Sequence, residues 1–305
     1  MSQPQTTAVI VCYRSLDTIS GAMGSLREAH EAGLLDCIVV DNDSRDGTVE
    51  FLHNEHGWAK TIQSGQNLGF GRACNLGVQS VRTSYVLLIN PDASLSKEAL
   101  VTMARFLDAN PRAGIVAPAI REPDGGLQFA GCLPSPRSVV LGAAGCENAY
   151  PNRRRIVPGD PPFRTDWLCG AILLIRKELW DDLGGFDPRF FLYFEETDFC
   201  LRASRRGWEL WAVGEAVAYH TNAASSSSTQ ALMYRDCIAE HYFRSRFYFL
   251  SKHFGWFRAA SAEILELTLI SAVSLVHFVR GRRSEKFSVR VRSPLLRRPR
   301  RLPGP

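Results

Sequence analysis

The N-terminal third of the chain alternates short β-rich runs with longer segments of helical pattern. Strand patterns lie at 6–13, 36–43, 59–64 and 84–92, and the last is almost continuously apolar, as buried parallel strands are. The intervening segments have helical patterns, with capping and Gly turn residues at their ends. This alternation predicts an α/β fold built on a doubly wound, parallel sheet with right-handed crossovers.

The rest of the chain divides into regions of different composition. Residues 121–166 are rich in Pro, Gly and Arg, which predicts long loops across the face of the sheet. Later segments predict a strand and helix at 166–187, a helix at 190–207, two short strands at 208–220, a flexible link at 225–228 and helices over 232–279. We therefore expect a main domain at 1–230, a C-terminal helical region at 231–281 and a basic, disordered tail at 282–305.

Composition indicates an ordinary soluble globular protein. Of the 305 residues, 45% are hydrophobic and 22% charged. Eight cysteines are scattered without close pairs, which argues against a disulfide framework or a zinc site. The N-terminus has no charged segment followed by an apolar one, so no signal peptide is expected and a cytoplasmic location is favoured.

Charge is concentrated at the C-terminal end. Residues 280–305 hold ten Lys or Arg and one acid, a charge of +9 in a chain whose net charge is +5. The preceding apolar run, 264–279, is about 16 residues long, and spanning a bilayer takes roughly 20. It is either a helix packed on the domain or an interfacial helix whose basic tail attracts anionic lipid at the inner face of the cell membrane. No aromatic-interleaved or zinc motif supports nucleic-acid binding, and the sequence is compatible with an oligomer.

Two polar clusters follow predicted strands or open a predicted helix. Ligands of open parallel sheets bind beyond the carboxyl ends of the strands. In the segment 39–48, Asp41 ends the second strand and could accept a hydrogen bond from a base or a ribose, although a capped turn explains the same residues. In the segment 66–77, glycines beside Asn67, Arg72 and Asn75 would let the backbone approach a sugar nucleotide, with tight helix packing as the alternative.

The stretch VLLINPDAS, at 86–94, is a third cluster of this kind. Asp92 could ligate a hard divalent ion, and Asn90 could add an oxygen or orient a ribose hydroxyl. Pro91 removes a backbone donor and stiffens the turn. A plain strand end explains these three residues equally well.

The fourth cluster is acidic. Glu195, Glu196 and Asp198 lie within one and a half helical turns, behind an aromatic run that predicts partial burial. Acids so close together should raise one another's pKa, which suits a general base. An exposed helix start would also favour acids. His220 ends a later predicted strand, and a lone histidine is usually structural.

Six motifs in this order resemble the family-two glycosyltransferases of the GT-A fold: VIVCYRS, VVDNDSRDGT, QNLGFGRACNLG, LLINPDA, GGFDPRFFLYFEETDFCLR and AYH. The resemblance covers roughly 6–250 and is greatest to bacterial rhamnosyltransferases acting on polyprenyl-diphosphate-linked GlcNAc. It implies a Rossmann-like nucleotide-binding half plus an acceptor-binding half around one mixed, mainly parallel sheet, with C-terminal helices. It also implies an inverting transfer from a nucleotide sugar, with dTDP-rhamnose the best guess, to a lipid-linked saccharide in surface polysaccharide synthesis, with Mg²⁺ or Mn²⁺.

The resemblance also implies residue roles. Asp92 would be the principal metal ligand, in an NPD motif that replaces the more usual DxD, and His220 the second. Glu196 would be the base, although Glu195 and Asp198 stay open. Trp167 and Gly170 would line the acceptor side. Expected donor-binding residues are Cys12, Tyr13, Arg14, Asp41, Asn42, Ser44, Asn67, Gly69, Phe70, Arg72, Asn75, Asn90 and Asp92. Transfer of galactofuranose, glucose or GlcNAc remains an alternative, as does a non-catalytic nucleotide-binding protein.

Overall fold

Helices and strands alternate through the first half of the computed structural model, which describes residues 5–220, 236–279 and 290. The elements up to the middle of the chain are β1 (Thr6–Cys12), α1 (Leu16–Glu31), β2 (Leu35–Asp41), α2 (Thr48–Glu55), β3 (Lys60–Gln63), α3 (Phe70–Val78), β4 (Tyr85–Ile89), β5 (Ala93–Leu95), α4 (Lys97–Ala109) and β6 (Ala113–Arg121). The later elements are β7 (Phe129–Ala130), α5 (Pro136–Ala143), a 3₁₀ turn (Glu147–Ala149), β8 (Arg154–Arg155), β9 (Phe163–Thr165), β10 (Ile172–Arg176), α6 (Lys177–Leu183), α7 (Glu195–Arg205), β11 (Glu209–His220), α8 (Asp236–Phe254) and α9 (Trp256–Val279).

Nine of the strands form one sheet. Its order is β3–β2–β1–β4–β10–β6–β11–β5, with β9 also paired to β11. Strands β5, β9 and β10 are antiparallel to their neighbours, and the other pairs are parallel. The sheet is therefore mixed and mainly parallel, which confirms the predicted fold class.

Helices cover both faces of the sheet, which explains why every residue of β1 and β4 is buried. Apolar side chains of α1 and α4 belong to the core on one face, and those of α3, α6 and α7 belong to the core on the other. Helix α3 approaches β1 closely at Gly77, where an added Cβ would lie 2.6 Å from the Val9 side chain. Two cores on opposite faces are the packing that a doubly wound sheet requires.

The structure corrects two of the sequence predictions. The segment expected as long loops, 121–166, contains the antiparallel strand pair β7–β8, strand β9 and helix α5. Ser135 and Ser138 form a capping box at the start of α5, and Pro136 occupies its first turn, so the helix-start signal was present in LPSPRS. The two short strands expected at 208–220 are one strand, β11, whose register against β6 shifts between Val213 and Val217.

Helices α8 and α9 follow the sheet domain. Arg246 of α8 donates hydrogen bonds to Glu263 and Glu266 of α9, and Arg290 pairs with the same two carboxylates in a buried cluster. Helix α9 is longer than the predicted apolar run, because it begins directly after Gly255. The expected link at 225–228 and, apart from Arg290, the expected basic tail at 282–305 lie outside the described residues.

Candidate active site

Asp41 lies at the carboxyl end of β2, beside a cavity of about 660 Å³. Only 4% of the residue is exposed. Its Oδ2 accepts a hydrogen bond from the Ser44 backbone N–H at 3.3 Å, whereas its Oδ1 has no hydrogen-bond partner among the described residues. A buried carboxylate oxygen without a donor is costly, so a ligand in this cavity that offers an N–H or O–H group would be favoured.

Asn42 and Asn67 hold the glycine loop in front of α3. The Asn42 carboxamide accepts from the Leu68 N–H at 2.9 Å and donates to Asn67 Oδ1 at 3.0 Å, and Asn67 Oδ1 also accepts from the Gly69 N–H at 3.0 Å. Gly69 has φ +82, and an added Cβ would lie 2.3 Å from the Phe191 carbonyl oxygen. The loop can therefore pack this closely against the segment before α7 only with glycine.

Other predicted donor residues divide between the core and the surface. Cys12 is buried in the core, and Asn75 uses its carboxamide to bind the Phe186 backbone at 2.8 and 2.9 Å. The core position of Cys12 and the backbone hydrogen bonds of Asn75 indicate that both side chains stabilise the fold. Tyr13 is 45% exposed, and the Arg14 N–H donates to the Ser44 hydroxyl at 3.0 Å. Phe70 and Arg72 lie in the first turn of α3, where the Phe70 N–H donates to the Phe191 carbonyl at 2.9 Å.

Asp92 and His220 meet at the end of the sheet. In the β5–β11 pair, Ala93 lies opposite His220, which places Asp92 beside the histidine. His220 Nε2 lies 2.9 Å from Asp92 Oδ1. Burial disfavours the charged imidazole, but the hydrogen bonds and charges of Asp92 and Glu122 outweigh burial and raise the pKa of His220 above its ordinary value.

The Asp92–His220 pair fits a divalent cation. The carboxylate of Asp92 and the imidazole of His220 are ligand types that divalent cations bind, and they lie next to each other, with Nε2 and Oδ1 2.9 Å apart. Within the described part of the chain, no group of three or more His, Cys, Asp or Glu side chains is arranged as a metal site. An ion held here would therefore take its other ligands from a diphosphate and water, as Mg²⁺ commonly does.

Glu196 lies at the start of α7 and is connected to both predicted acceptor-side residues. The Trp167 indole N–H donates to the Thr197 hydroxyl at 3.0 Å, and that hydroxyl donates to Glu196 Oε1 at 2.9 Å. An added Cβ at Gly170 would lie 3.2 Å from Glu196 Cγ. Burial raises the pKa of the half-buried Glu196 carboxyl, although the Thr197 hydrogen bond opposes the rise.

Glu195 is more deeply buried than its neighbour. Only 4% of the residue is exposed, and its Oε2 has no hydrogen-bond partner among the described residues. Burial, followed by the nearby charge of Glu196, raises the pKa of Glu195 well above its ordinary value. Of the two, Glu195 therefore holds a proton more strongly, and Glu196 is the carboxyl that is partly exposed.

Asp198 has a different environment from the two glutamates. It is fully buried, forms ion pairs with Arg202 at 2.7 Å and with Lys252, and lies 2.7 Å from His253 Nε2. Although burial opposes ionisation, hydrogen bonds with His253 and Lys252 and the charge of Arg202 lower the pKa of Asp198 below its ordinary value. Asp198 thus joins α7 to α8, and this ion-paired position does not suit a proton acceptor for substrate.

The turn that carries Asp92 and the glutamates of α7 both contact the backbone segment 170–171. The Asn90 N–H donates to the Ala171 carbonyl at 2.9 Å, while Gly170 packs against Glu196. Gly71 of α3 packs against Glu195, where an added Cβ would lie 3.3 Å from the Glu195 Cβ. These contacts connect the four polar clusters of the sequence at the same end of the sheet.

The sequence profile of "Glycosyl transferase family 2" matches residues 7–171, more than half of the chain. The chain belongs to glycosyl transferase family 2. Its helices and mixed sheet form the GT-A fold of these enzymes, and the protein is a glycosyltransferase. The match includes Asp41, the glycine loop, Asp92 and the predicted acceptor-side residues Trp167 and Gly170.

This family 2 glycosyltransferase is similar to curated enzymes and to solved structures. It is 28% identical over 241 residues to the N-acetylglucosaminyl-diphospho-decaprenol L-rhamnosyltransferase of Mycobacterium tuberculosis, covering 73% of this chain and 76% of the relative. It is 25% identical over 198 residues to the rhamnosyltransferase WbbL of Escherichia coli, covering 60% and 72%. The mannosyltransferase PcManGT of Pyrobaculum calidifontis, solved with GDP-Man and Mn²⁺, has 15% identity, a TM-score of 0.53 and coverage of 96% and 85%.

Two side chains at the site lie outside the sequence predictions. Glu122 is 4% exposed and faces His220. The side-chain amide of Gln128 donates a hydrogen bond to Glu122 Oε1 at 2.9 Å. Both lie in the Pro- and Gly-rich segment that was interpreted as loops. The only sequence signal was a carboxylate near the end of an apolar run, AGIVAPAIRE, where Arg121 separates Glu122 from the run, whereas Asp41 follows its run directly.

Proposed function

We propose that this glycosyltransferase transfers rhamnose from dTDP-rhamnose to a hydroxyl of a polyprenyl-diphosphate-linked saccharide, with inversion at the anomeric carbon. The observation that carries the proposal is the convergence of the Asp92–His220 pair and Glu196 at the 170–171 segment. The sugar and the lipid-linked acceptor rest on the named activities of the relatives, both of which are rhamnosyltransferases.

Glu196 is the proposed base. Its carboxylate takes the proton from the acceptor hydroxyl as that oxygen attacks the anomeric carbon, on the face opposite the leaving nucleoside diphosphate. The Thr197 hydroxyl, itself held by the Trp167 indole, fixes one oxygen of Glu196 and leaves the other for the acceptor. Burial raises the basicity of Glu196. A glutamate whose pKa approaches the working pH is a better proton acceptor than an exposed one.

The donor is proposed to bind between β2 and the glycine loop. The unsatisfied Oδ1 of Asp41 would accept a hydrogen bond from the pyrimidine imide N–H or a ribose hydroxyl. Asp92 and His220 would hold a divalent cation, which neutralises charge on the leaving diphosphate when bound. Solved GT-A structures with Mn²⁺ and a nucleotide sugar support the choice of ion.

A donor panel tests the proposal. The purified enzyme is incubated with a polyprenyl-diphosphate-GlcNAc acceptor and, separately, with dTDP-rhamnose, UDP-galactofuranose, UDP-glucose or UDP-GlcNAc, in Mg²⁺ or Mn²⁺. We expect transfer from dTDP-rhamnose at least tenfold faster than from any other donor, and loss of transfer in EDTA that is restored by excess Mn²⁺. Equal or faster transfer from another donor would contradict the sugar, and transfer unaffected by EDTA would contradict the metal.

Helix α9 is proposed to lie on an anionic bilayer, which would place the cleft near a lipid-linked acceptor. The segment Trp256–Val276 has 21 residues, a mean hydropathy of 1.6 and only 28% of its residues buried, so by length and composition it could cross a membrane. Its buried face carries Glu263 and Glu266 in ion pairs with Arg246, which favours a helix packed on protein along one side. Elsewhere the helix exposes Trp256, Phe257, Ile264, Leu265, Val273, Leu275 and Val276. The ten basic residues that follow in the sequence would add electrostatic attraction to anionic lipid.

Replacement of both Trp256 and Phe257 by serine should release the enzyme from vesicles. Phe257 is 81% exposed and Trp256 56%, so neither stabilises the fold appreciably. Insertion of one aromatic side chain is worth about 1.5–3 kcal/mol, so the affinity for phosphatidylglycerol vesicles should fall at least tenfold in co-sedimentation. Leu34→Ser, an exposed apolar residue between α1 and β2, is the matched control and should bind as the wild type does. Unchanged sedimentation of the double variant would contradict the proposed surface.

A further inference from the structure

Glu122 lies on the opposite side of His220 from Asp92. His220 ends β11, which lies between β5 and β6 in the sheet. The β6–β11 register pairs Arg121 with Tyr219, so the next residue of each strand, Glu122 and His220, are neighbours. Glu122 Oε2 lies 3.4 Å from His220 Nδ1, and Asp92 Oδ1 lies 2.9 Å from Nε2. Each ring nitrogen thus faces one carboxylate.

The two carboxylates differ in exposure. The Glu122 side chain is fully buried and that of Asp92 is 17% exposed. Gln128, also buried, donates its amide N–H to the other oxygen of Glu122, Oε1, at 2.9 Å. The Glu122 backbone is held in a tight turn, because its N–H donates to the Gly126 carbonyl at 2.9 Å. Glu122 is therefore fixed and cannot leave His220, whereas Asp92 can turn toward a ligand in the cleft.

We infer that Glu122 is a positioning residue: when a cation replaces the proton between Nε2 and Asp92, Glu122 keeps the remaining proton of His220 on Nδ1 and so leaves the lone pair of Nε2 for the cation. A metal-binding imidazole usually donates its other ring N–H to a carboxylate, which sets the tautomer and the ring orientation. The inference rests on the proposed function, in which Asp92 and His220 hold the cation. It adds a buried residue that contacts neither the cation nor the sugar.

The substitution Glu122→Gln reverses this arrangement with little change in shape. Gln128 would still donate to the amide oxygen at position 122, and the new amide N–H₂ would then face His220 Nδ1. Because an N–H group can only donate, Nδ1 must become the acceptor and the proton of neutral His220 must move to Nε2. Nε2 would then have no lone pair for a cation.

Histidine tautomers can be read directly by NMR in the protein saturated with diamagnetic Mg²⁺ and dTDP. In ¹⁵N-histidine-labelled wild type at alkaline pH, with the His220 signal assigned by its loss in His220→Gln, we expect the Nδ1–H tautomer, and in Glu122→Gln the Nε2–H tautomer, hydrogen-bonded to Asp92. Glu209→Gln is the matched control, because Glu209 is a buried carboxylate in the same strand that pairs with Arg112 and Arg164. It should leave the His220 signal unchanged. An Nε2–H tautomer in the wild type, or the same tautomer in Glu122→Gln, would overturn the inference.

Mn²⁺ binding supplies the second readout. In EPR titrations of MnCl₂ with excess dTDP, Glu122→Gln should bind Mn²⁺ about 10- to 100-fold more weakly than wild type and Glu209→Gln. Equal affinity in Glu122→Gln and wild type would overturn the inference while leaving the metal proposal intact. Absence of Mn²⁺ binding in the wild type, with dTDP or UDP, would instead contradict the metal proposal on which the role of Glu122 rests.

Discussion

Asp92→Asn should lower kcat/KM for sugar transfer at least 1,000-fold and abolish nucleotide-dependent Mn²⁺ binding in EPR. Asparagine keeps the shape of the side chain but removes the negative charge from a cation site that has one acidic ligand of its own in the proposed arrangement. A metal contributes several kcal/mol to stabilisation of the leaving diphosphate, which corresponds to a rate effect of this size. The fold should be unaffected, because the Asp92 side chain lies at the rim of the cleft and is 17% exposed.

Asn90→Ala is the control variant for Asp92→Asn, because it alters the same turn without removing a charge. Asn90 belongs to the same turn, and its backbone N–H, which the substitution retains, binds the Ala171 carbonyl. We expect a decrease of about tenfold or less, since the side chain would lose at most one neutral hydrogen bond to donor. If Asn90→Ala and Asp92→Asn lose activity equally, the turn and not the carboxylate is what matters. If Asp92→Asn keeps wild-type Mn²⁺ affinity, the cation binds elsewhere.

Strand ends were predictable from the sequence because their signal is local. Apolar runs that stop at Asp41 and Asp92 predicted both the parallel strands and the edge at which ligands bind. His220 was assigned to the metal only through the family resemblance. The structure brings it to Asp92 through the pairing of β5 with β11, two strands more than 100 residues apart in the chain. Register between such strands depends on the whole sheet and has no local sequence signal.

The acidic cluster was recognisable from the sequence, but the individual roles of its members were not. The sequence predicted that Glu195, Glu196 and Asp198 would perturb one another, but it could not separate their roles, since all three lie in the first turns of one helix. Tertiary contacts separate them: Asp198 meets Lys252 and His253 of α8, Glu195 packs under α3, and Glu196 faces the cleft beside Gly170. Their environments, not their spacing, therefore distinguish the candidate base from its neighbours.

Glu196→Gln should lower kcat by a factor of 100 to 10,000, the range for loss of a general base, with little change in affinity for dTDP-rhamnose. The remaining transfer should lose the acid limb of the wild-type pH profile. In the wild type, kcat should fall as pH decreases through the pKa of Glu196, because the protonated carboxyl cannot accept a proton. Burial raises that pKa, so the limb should lie above the ordinary glutamate value of about 4.3.

Stability gives an independent check on the same substitution. An acid whose pKa is raised in the folded state destabilises the fold when it ionises, so stability falls as pH rises through its unfolded and folded values. Glu196→Gln should therefore unfold at an equal or higher temperature than wild type at neutral pH. Asp198→Asn should do the reverse and lose about 3–5 kcal/mol of stability, because it leaves the partly buried Arg202 without its carboxylate and Lys252 with Asp187 alone.

The two variants together decide which acid is the base. With a lowered pKa, ionised Asp198 stabilises the fold above its unfolded pKa, and that contribution is lost only as pH falls through the folded value. Asp198→Asn should thus reduce activity through unfolding, with a kcat per folded molecule near wild type and the acid limb retained. If Asp198→Asn is stable but nearly inactive and lacks the acid limb, while Glu196→Gln is active, Asp198 is the base. If Glu196→Gln retains the acid limb of the pH profile and a kcat within tenfold of wild type, that result alone would exclude Glu196 as the base.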